Sequence, residues 1–314
     1  MYSDNLRRRL EIALADPQAR DELESVMGSK PYSTHWYVNS ITGSDTEHDG
    51  RSADSAFDTM DKAFDSVGDG DVIHLRGGIY ENLTTPAGIT DVTIIGETTK
   101  PRHDNLTDAQ KMGAAAWRTA TSVTDQPLLI VRSQGWRVVN ILFAGPTAEA
   151  CIQLLRDTTY DSSHFSAVGC RFSGGAYAIT NKGGAGFVGL YGNTFQTQTT
   201  ASIECLNTGI AVPLIWDIQD NFFCYGSASH IRSSASNWLL KNNVFATVAS
   251  TAIYVDLAYN SSQGLANVLT GNTFAGTYHT ADYNFSATDI ALGNWVAVRT
   301  TQAPNGYTIM IPAA

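Results

Sequence analysis

The sequence predicts an all-β chain, a single-stranded right-handed parallel β-helix, preceded by a short helical N-terminal segment and closed by an α-helical N-terminal cap. Two observations carry that expectation. A short phrase recurs from Val138 onward as VVNILFAG, AVGCRFSG, LYGNTFQT, IQDNFFCY, LKNNVFAT and LTGNTFAG, each with Gly, Asn or Asp before a Phe. The phenylalanines Phe143, Phe172, Phe195, Phe223, Phe245 and Phe274 are separated by 29, 23, 28, 22 and 29 residues, and a period of roughly 20 to 50 residues marks stacked repeats.

The unit cannot be helical, because it is filled with Gly, Asn, Thr, Ser, β-branched and aromatic residues. If the chain coils once per repeat, each Phe lies on the next and parallel strands stack at about 4.8 Å. Asn193, Asn221, Asn243 and Asn272 then form a ladder at a turn, where Asn tolerates left-handed backbone and its amide bonds along the stack. Asp220 occupies the turn position held elsewhere by Gly169, Gly192, Asn242 and Gly271. The uneven period fits, since one turn of each coil can lengthen without disturbing the strands.

Three sections follow. Residues 1–30 read as a helical attachment or assembly segment: Ser3 caps a helix with Leu6, Leu10 and Leu14 on one face, and Asp16 with Pro17 starts a second running through Leu23 and Val26 to Gly28. Arg7, Arg8 and Arg9 read as a solvated face. Residues 31–290 form the β-helix, with strands in GDVIHLRGGIYENL, VTIIGET and PLLIVRSQGWRVVNILF, and a capping helix near 53–67 carrying Phe57, Met60, Ala63, Phe64 and Val67. Such a helix would close the exposed edge and interior of the first coil. Residues 291–314, ending in YTIMI, form a strand-rich cap.

Of 314 residues, 43% are hydrophobic and 16% charged, ample for a core. A formal charge of −10, with six Lys among 20 basic residues, argues against nucleic acid as a partner. No run approaches the ~18 apolar residues of a membrane span, and the N-terminus shows no apolar signal region. Cys151, Cys170, Cys205 and Cys224 lack CxxC spacing and read as buried thiols.

The stretch WYVNSITGSDTEHDGRSADSAFDTMDKAFDSVGDGDVIHLRGGIYEN resembles the opening of many pectate-lyase-like β-helix proteins: a YV strand and GSD loop, an F.T...A helix, then GD.I.L..G.Y.E. The resemblance covers residues 36–98 in motif and 128–280 in repeat style. It implies the fold, which carries lyases, hydrolases, epimerases, adhesins and bacteriophage spikes alike.

The residues do not spell an enzyme. Lyases of this fold require clustered acids for calcium and an Arg or Lys base, yet between Ser162 and Val255 the only acids are Glu204, Asp217 and Asp220. Asp217, three positions from Asp220, faces the other way in an extended chain. The Asn-Thr-Asp, Asp-Asp and Arg-Ile-Lys signatures of polygalacturonase-type hydrolases are missing, leaving Asp256 and Asp157 beside Arg156 as unmatched carboxylate candidates. His35, His48, His74, His103, His164, His230 and His279 are isolated in sequence. Trp117, Trp136, Trp216, Trp238 and Trp295 serve either sugar stacking or packing. Asp45, Glu47, Asp49 and Gly50 match positions 1, 3, 5 and 6 of an EF-hand loop, but Ala56 stands where a bidentate Glu is required. No catalytic, cofactor or metal site is therefore assigned.

The layout resembles β-helix proteins of tailed-bacteriophage particles. That resemblance implies a structural or adhesive virion component, non-enzymatic, made in the host cytoplasm and placed on the particle as a head decoration, fibre or tail spike. Its partners would be sister subunits in a homotrimer, other virion proteins through the N-terminal helices, and a host surface glycan. The alternative is a polysaccharide lyase or glycoside hydrolase acting on an acidic glycan, which a net charge of −10 disfavours.

Overall fold

A computed structural model describes residues 33–97, 115–119, 125–206, 214–225, 229–234, 236–246, 254–257, 267–276, 283–284, 289–298 and 307–309. The expected N-terminal helices, with Arg7, Arg8 and Arg9, lie outside these residues, as do His103 and His279.

The chain winds through three parallel sheets once per rung. Sheet A contains His35–Asn39, Val72–Arg76, Thr93–Gly96, Arg137–Val139, Ser166–Val168, Val188–Tyr191, Trp216–Gln219, Leu239–Lys241, Val268–Thr270 and Ile290–Leu292. Sheet B follows with Gly78–Tyr80, Ala116–Arg118, Leu142–Gly145, Arg171–Gly174, Thr194–Gln196, Phe222–Cys224, Val244–Ala246, Thr273–Gly276 and Trp295–Val298. Sheet C comprises Leu83–Thr84, Leu129–Val131, Ala150–Leu155, Tyr177–Lys182, Ala201–Leu206, Ser229–Ser233, Val255–Asp256 and Tyr283–Asn284. These sheets form a right-handed parallel β-helix. The last strand departs from the rule: Tyr307–Ile309, from the YTIMI stretch, pairs antiparallel with Trp295–Val298 of its own chain.

The Phe phrase is the strand of sheet B. Phe143, Phe172, Phe195, Phe223, Phe245 and Phe274 point inward and stack, with successive ring centroids 5.2, 5.0, 4.6, 4.7 and 5.0 Å apart. Trp117 extends the stack at 5.8 Å from Phe143. Burying each ring stabilises by about 1.5–3 kcal/mol, and stacked pairs add roughly 0.5–1.5 kcal/mol.

The ladder at the corner between sheets A and B has five asparagines, because Asn294 joins the four expected. Asn221 Oδ1 accepts the backbone N–H of Asn193 at 2.8 Å and its Nδ2–H at 3.0 Å. Asn243, Asn272 and Asn294 repeat the pattern. Each Nδ2 also donates to a sheet A carbonyl, as Asn243 does to Ile218 at 2.8 Å. The left-handed conformation expected of the ladder falls one residue earlier, on Asn140, Gly169, Gly192, Asp220, Asn242, Gly271 and Gly293. The ladder asparagines are buried to within 1% of full burial, so the corner separates the two jobs: one residue turns the chain and the next bonds along the axis. A second left-handed corner precedes sheet A, at Gly70, Asp91, Gly135, His164, Phe187, Ile215 and Asn237.

The first rung differs from the rest. One helix, Met60–Ser66, replaces its later strands, with Thr59 Oγ1 capping the Lys62 N–H. It is shorter than the segment 53–67 suggested, since Ala53–Ser55 forms a separate 3-10 turn and Phe57 is extended. Extension lets Phe57 and Gly50 bond the otherwise open edge of His35–Asn39: Tyr37 and Asn39 donate to the Gly50 and Phe57 carbonyls, and Phe57 donates to Tyr37. Gly50 is required there, because its φ is +71° and a Cβ would meet the Phe57 ring at 2.4 Å. Phe64 of the helix packs edge-on to Trp136 at 5.4 Å. Among the described residues, no helix is long and apolar enough to cross a membrane.

Replacing Asn243 by Ala removes the acceptor of the buried Asn221 backbone N–H and the side-chain donor to the Ile218 carbonyl, while the Asn221 amide keeps the Leu190 and Gln219 carbonyls; an unpaired buried group costs about 1–3 kcal/mol. We expect a loss of about 3 kcal/mol in chemical denaturation, whereas Asn242→Gly at the neighbouring exposed corner shifts stability by less than about 1 kcal/mol. His230 yields a second expectation. It is fully buried against Phe223, Phe245 and Tyr254, with Nε2 3.2 Å from the Ala246 carbonyl, and burial pushes its pKa down to about 4. The unfolded chain, with a His pKa near 6.5, takes up the proton first. This group's contribution is therefore present above pH ~6.5 and lost as pH falls towards 4, by about 3 kcal/mol in all. His230→Gln should shrink the stability lost between pH 7 and pH 5 by about 2 kcal/mol.

Candidate functional site

The inner row of sheet C is apolar: Ile152, Ile179, Ile203, Ile231 and Val255 are fully buried. Strand alternation turns the residue after each of these outward. Register then aligns Gln153, Thr180, Glu204, Arg232 and Asp256 on successive strands. Outward residues of a solenoid normally meet water, yet Gln153, Thr180, Glu204 and Asp256 are only 6–8% exposed. This is a covered row of polar and charged side chains on the outside of the helix.

Glu204 and Arg232 face one another at 2.6 Å from Oε2 to Nη2. Burial pushes the Glu204 carboxyl up, while Arg232, a hydrogen bond from Tyr177 and the charge of Lys182 pull it back without cancelling the rise. Burial, followed by the Glu204 charge, raises the Tyr177 phenol. Thr180 Oγ1 is buried with no hydrogen-bond partner. A second carboxylate, Asp256, lies beyond Arg232 on the next strand, so the two acids are two rungs apart, about 10 Å between backbones. Buried ion pairs are weak stabilisers, and a perturbed carboxyl such as Glu204 beside further charged groups marks a candidate functional site.

Sequence reasoning singled out Glu204 and Asp256 without relating them, and it did not reach Tyr177, Thr180 or Arg232. The signal was available as a second recurring phrase, an aliphatic residue followed by a polar one, in CIQL, AITN, SIEC, HIRS and YVDL.

Other candidates are placed elsewhere. Asp217 is on sheet A, where it accepts hydrogen bonds from Tyr191 at 3.1 Å and Gln219 at 2.7 Å, and Asp220 is the left-handed corner residue expected of it. Asp157 accepts the Thr159 and Tyr160 N–H groups in a turn, and Arg156 pairs instead with Asp161 at 3.7 Å. Asp45 accepts from the Asp58 and Thr59 backbone and the Thr59 hydroxyl. The Arg51 N–H and the Ser55 hydroxyl hold Asp49 below the usual carboxylate range. These acids are committed to separate turn contacts, and no metal-holding group occurs among the described residues.

Two histidines isolated in sequence meet in space: His35 Nδ1 lies 2.8 Å from His74 Nε2, and His74 Nδ1 lies 3.3 Å from Glu97. His48 Nδ1 contacts the Ala56 carbonyl at 2.9 Å, and His164 stacks on Phe187. Trp117, Trp136, Trp216 and Trp238 are core residues, so sugar stacking on them is excluded; Trp295 is 43% exposed. The four cysteines are free and buried, and burial pushes the Cys170 thiol up to about 12.

No protein-family model and no curated protein sequence matches the chain. Among solved structures it is similar to pectate lyase Pel9A, with a TM-score of 0.51 and 10% identity over 84% of this chain and 77% of that one. The fold is the pectate-lyase-like parallel β-helix. The chain is also similar to rice weevil pectin methyl esterase, with a TM-score of 0.47 and 9% identity over 81% and 90% of the two chains. A tailspike protein, gp49 from Acinetobacter baumannii bacteriophage Fri1, a capsular polysaccharide depolymerase, matches with a TM-score of 0.41 and 10% identity over 84% of this chain and 57% of its own.

Arg232→Met removes one member of the buried pair and leaves Glu204 uncompensated, which typically costs about 3–5 kcal/mol. We expect a loss of about 3 kcal/mol in urea denaturation and recovery of most of it in Glu204→Gln/Arg232→Met, the signature of a coupled pair.

Proposed function

We propose that this protein is a glycan-binding β-helix subunit of a bacteriophage particle, with the outward row of sheet C as its glycan face. The observation that supports this reading is the row Thr180, Glu204, Arg232, Asp256 with Tyr177 beside it. The Arg232 guanidinium, paired with Glu204 and still 22% exposed, offers planar donors along the strand stack, which suits the hydroxyls and carboxylates of an extended sugar chain lying along the axis. The pair holds Glu204 in place instead of leaving it as an open base, which favours recognition over catalysis. The virion location, the homotrimer and attachment through residues 1–30 rest on the sequence layout, which resembles phage β-helix proteins.

The alternative is glycan hydrolysis or elimination. It is favoured by one feature: burial moves Glu204 in the direction a general acid needs, with Asp256 as a second carboxylate.

Four measurements test the proposal. The protein should be present at a fixed stoichiometry in purified particles and should sediment as a trimer. It should bind capsular or lipopolysaccharide glycan from the host, with at least tenfold weaker binding in Glu204→Gln/Asp256→Asn. Incubation with that glycan should release no unsaturated or reducing ends; their release, abolished by Glu204→Gln, would instead establish the enzymatic reading.

A further inference from the structure

A cleft of about 360 Å³ opens at the N-terminal end of sheet B, between Ser40 and Ile41 after the first strand, Asp58 and Thr59 before the helix, and Tyr80, Glu81 and Arg118. Its size is at the lower end of small-molecule clefts, ~300–1,000 Å³. Two large apolar side chains stand open to water on it, Ile41 at 63% and Tyr80 at 52% exposure. The Arg118 guanidinium lies over the Tyr80 ring, 5.8 Å from its centroid.

The polar lining is divided. Glu81 is committed to structure: its two oxygens accept the Met60 and Asp61 N–H groups at 3.0 and 2.9 Å, and burial pushes its carboxyl up. Among the described residues, the Asp58 carboxylate, the Ser40 hydroxyl and the Tyr80 phenol meet no hydrogen-bond partner. The floor is Gly78, where an added Cβ would meet nothing closer than the Tyr80 ring at 3.9 Å. The space over it is therefore open, and nothing about folding requires a glycine there.

We propose that this cleft binds one ring of a neutral, hydroxyl-rich sugar, separately from the row on sheet C. The lining charge selects the ligand class. An anion would face Asp58, a cation would face Arg118, and an apolar ligand would leave both desolvated without compensation. Sugar hydroxyls both donate and accept, so one ring can donate to Asp58 and accept from Ser40 or Arg118. Its C–H face finds apolar surface in Tyr80 and Ile41. The proposal does not depend on sheet C being a glycan face.

The test is saturation-transfer NMR on the full chain with a panel of neutral methyl hexosides and N-acetylhexosamines. At least one member should bind, with affinity reduced at least tenfold in Asp58→Asn, which alters an exposed group with no hydrogen-bond partner among the described residues, and in Gly78→Val, which fills the floor. Lys241→Ala on sheet A should leave binding unchanged. Unaltered melting of Asp58→Asn would show that its lost binding is local. The proposal is overturned if no sugar of the panel binds, if binding survives both substitutions, or if it survives Asp58→Asn and disappears in Glu204→Gln. That last outcome would place the sugar on sheet C and leave the glycan-face reading intact.

Discussion

The axial hydrogen bond from one rung to the next is the constraint on which the rest of this protein depends. Parallel strands bond only to their neighbours above and below, so every rung must present its backbone in the same register. At the corner between sheets A and B the backbone turns too sharply for strand pairing to continue, and its N–H groups would be buried unpaired. The asparagines from Asn193 to Asn294 supply acceptors there, and Asn221, Asn243, Asn272 and Asn294 each take both the backbone and side-chain donors of the asparagine one rung before. An N–H left without such a partner in the core costs more than an ordinary hydrogen bond contributes. In earlier rungs Ile141 and Cys170 stand at the same corner position, and Cys170 donates its N–H into the start of the ladder at Asn193.

Once register is held, the interior follows. Each phenylalanine of sheet B meets its counterpart one rung away, and each isoleucine of sheet C does the same. Packing becomes a stack of like on like, so the core needs one large side chain per strand instead of a three-dimensional arrangement of different shapes. The cost appears at the ends, where a strand has only one neighbour. At the beginning it is met by Gly50 and Phe57, whose carbonyls bond the free edge of His35–Asn39, with the helix Met60–Ser66 alongside.

Because inward rows fold the chain, outward rows are released for other uses, and departures from plain solvated surface there carry information. Sheet C buries charges on its outward side: Glu204 is paired with Arg232, and Asp256 lies two strands beyond Glu204. The N-terminal cleft shows the opposite departure, with apolar Tyr80 and Ile41 left in water beside an uncommitted Asp58. One site is a preset line of charge along the axis; the other is a recess of about 360 Å³. They differ in shape, a row that runs across several strands in the first case and a single recess in the second.

Repetition made the fold legible in the sequence. A residue that recurs once per rung must do the same job each time, so the Phe phrase revealed the stack, the asparagines revealed the corner, and Asp220 read correctly as a turn residue. Asn294 escaped because its rung carries Val296 in place of Phe, and the second left-handed corner escaped because Gly, Asp, His, Phe, Ile and Asn share no side-chain chemistry. The exact extent of the helix also depended on tertiary structure: periodicity at Phe57, Met60 and Phe64 suits a longer helix, but an edge strand in need of hydrogen bonds held Phe57 extended. Sites were illegible for a related reason. Glu204, Arg232 and Asp256, or Ser40, Asp58 and Tyr80, are neighbours only because coiling brings different rungs together. The periodic pattern determines which residues face inward, by burial; which outward side chains meet across rungs is decided by register and turn length, which only the folded chain displays.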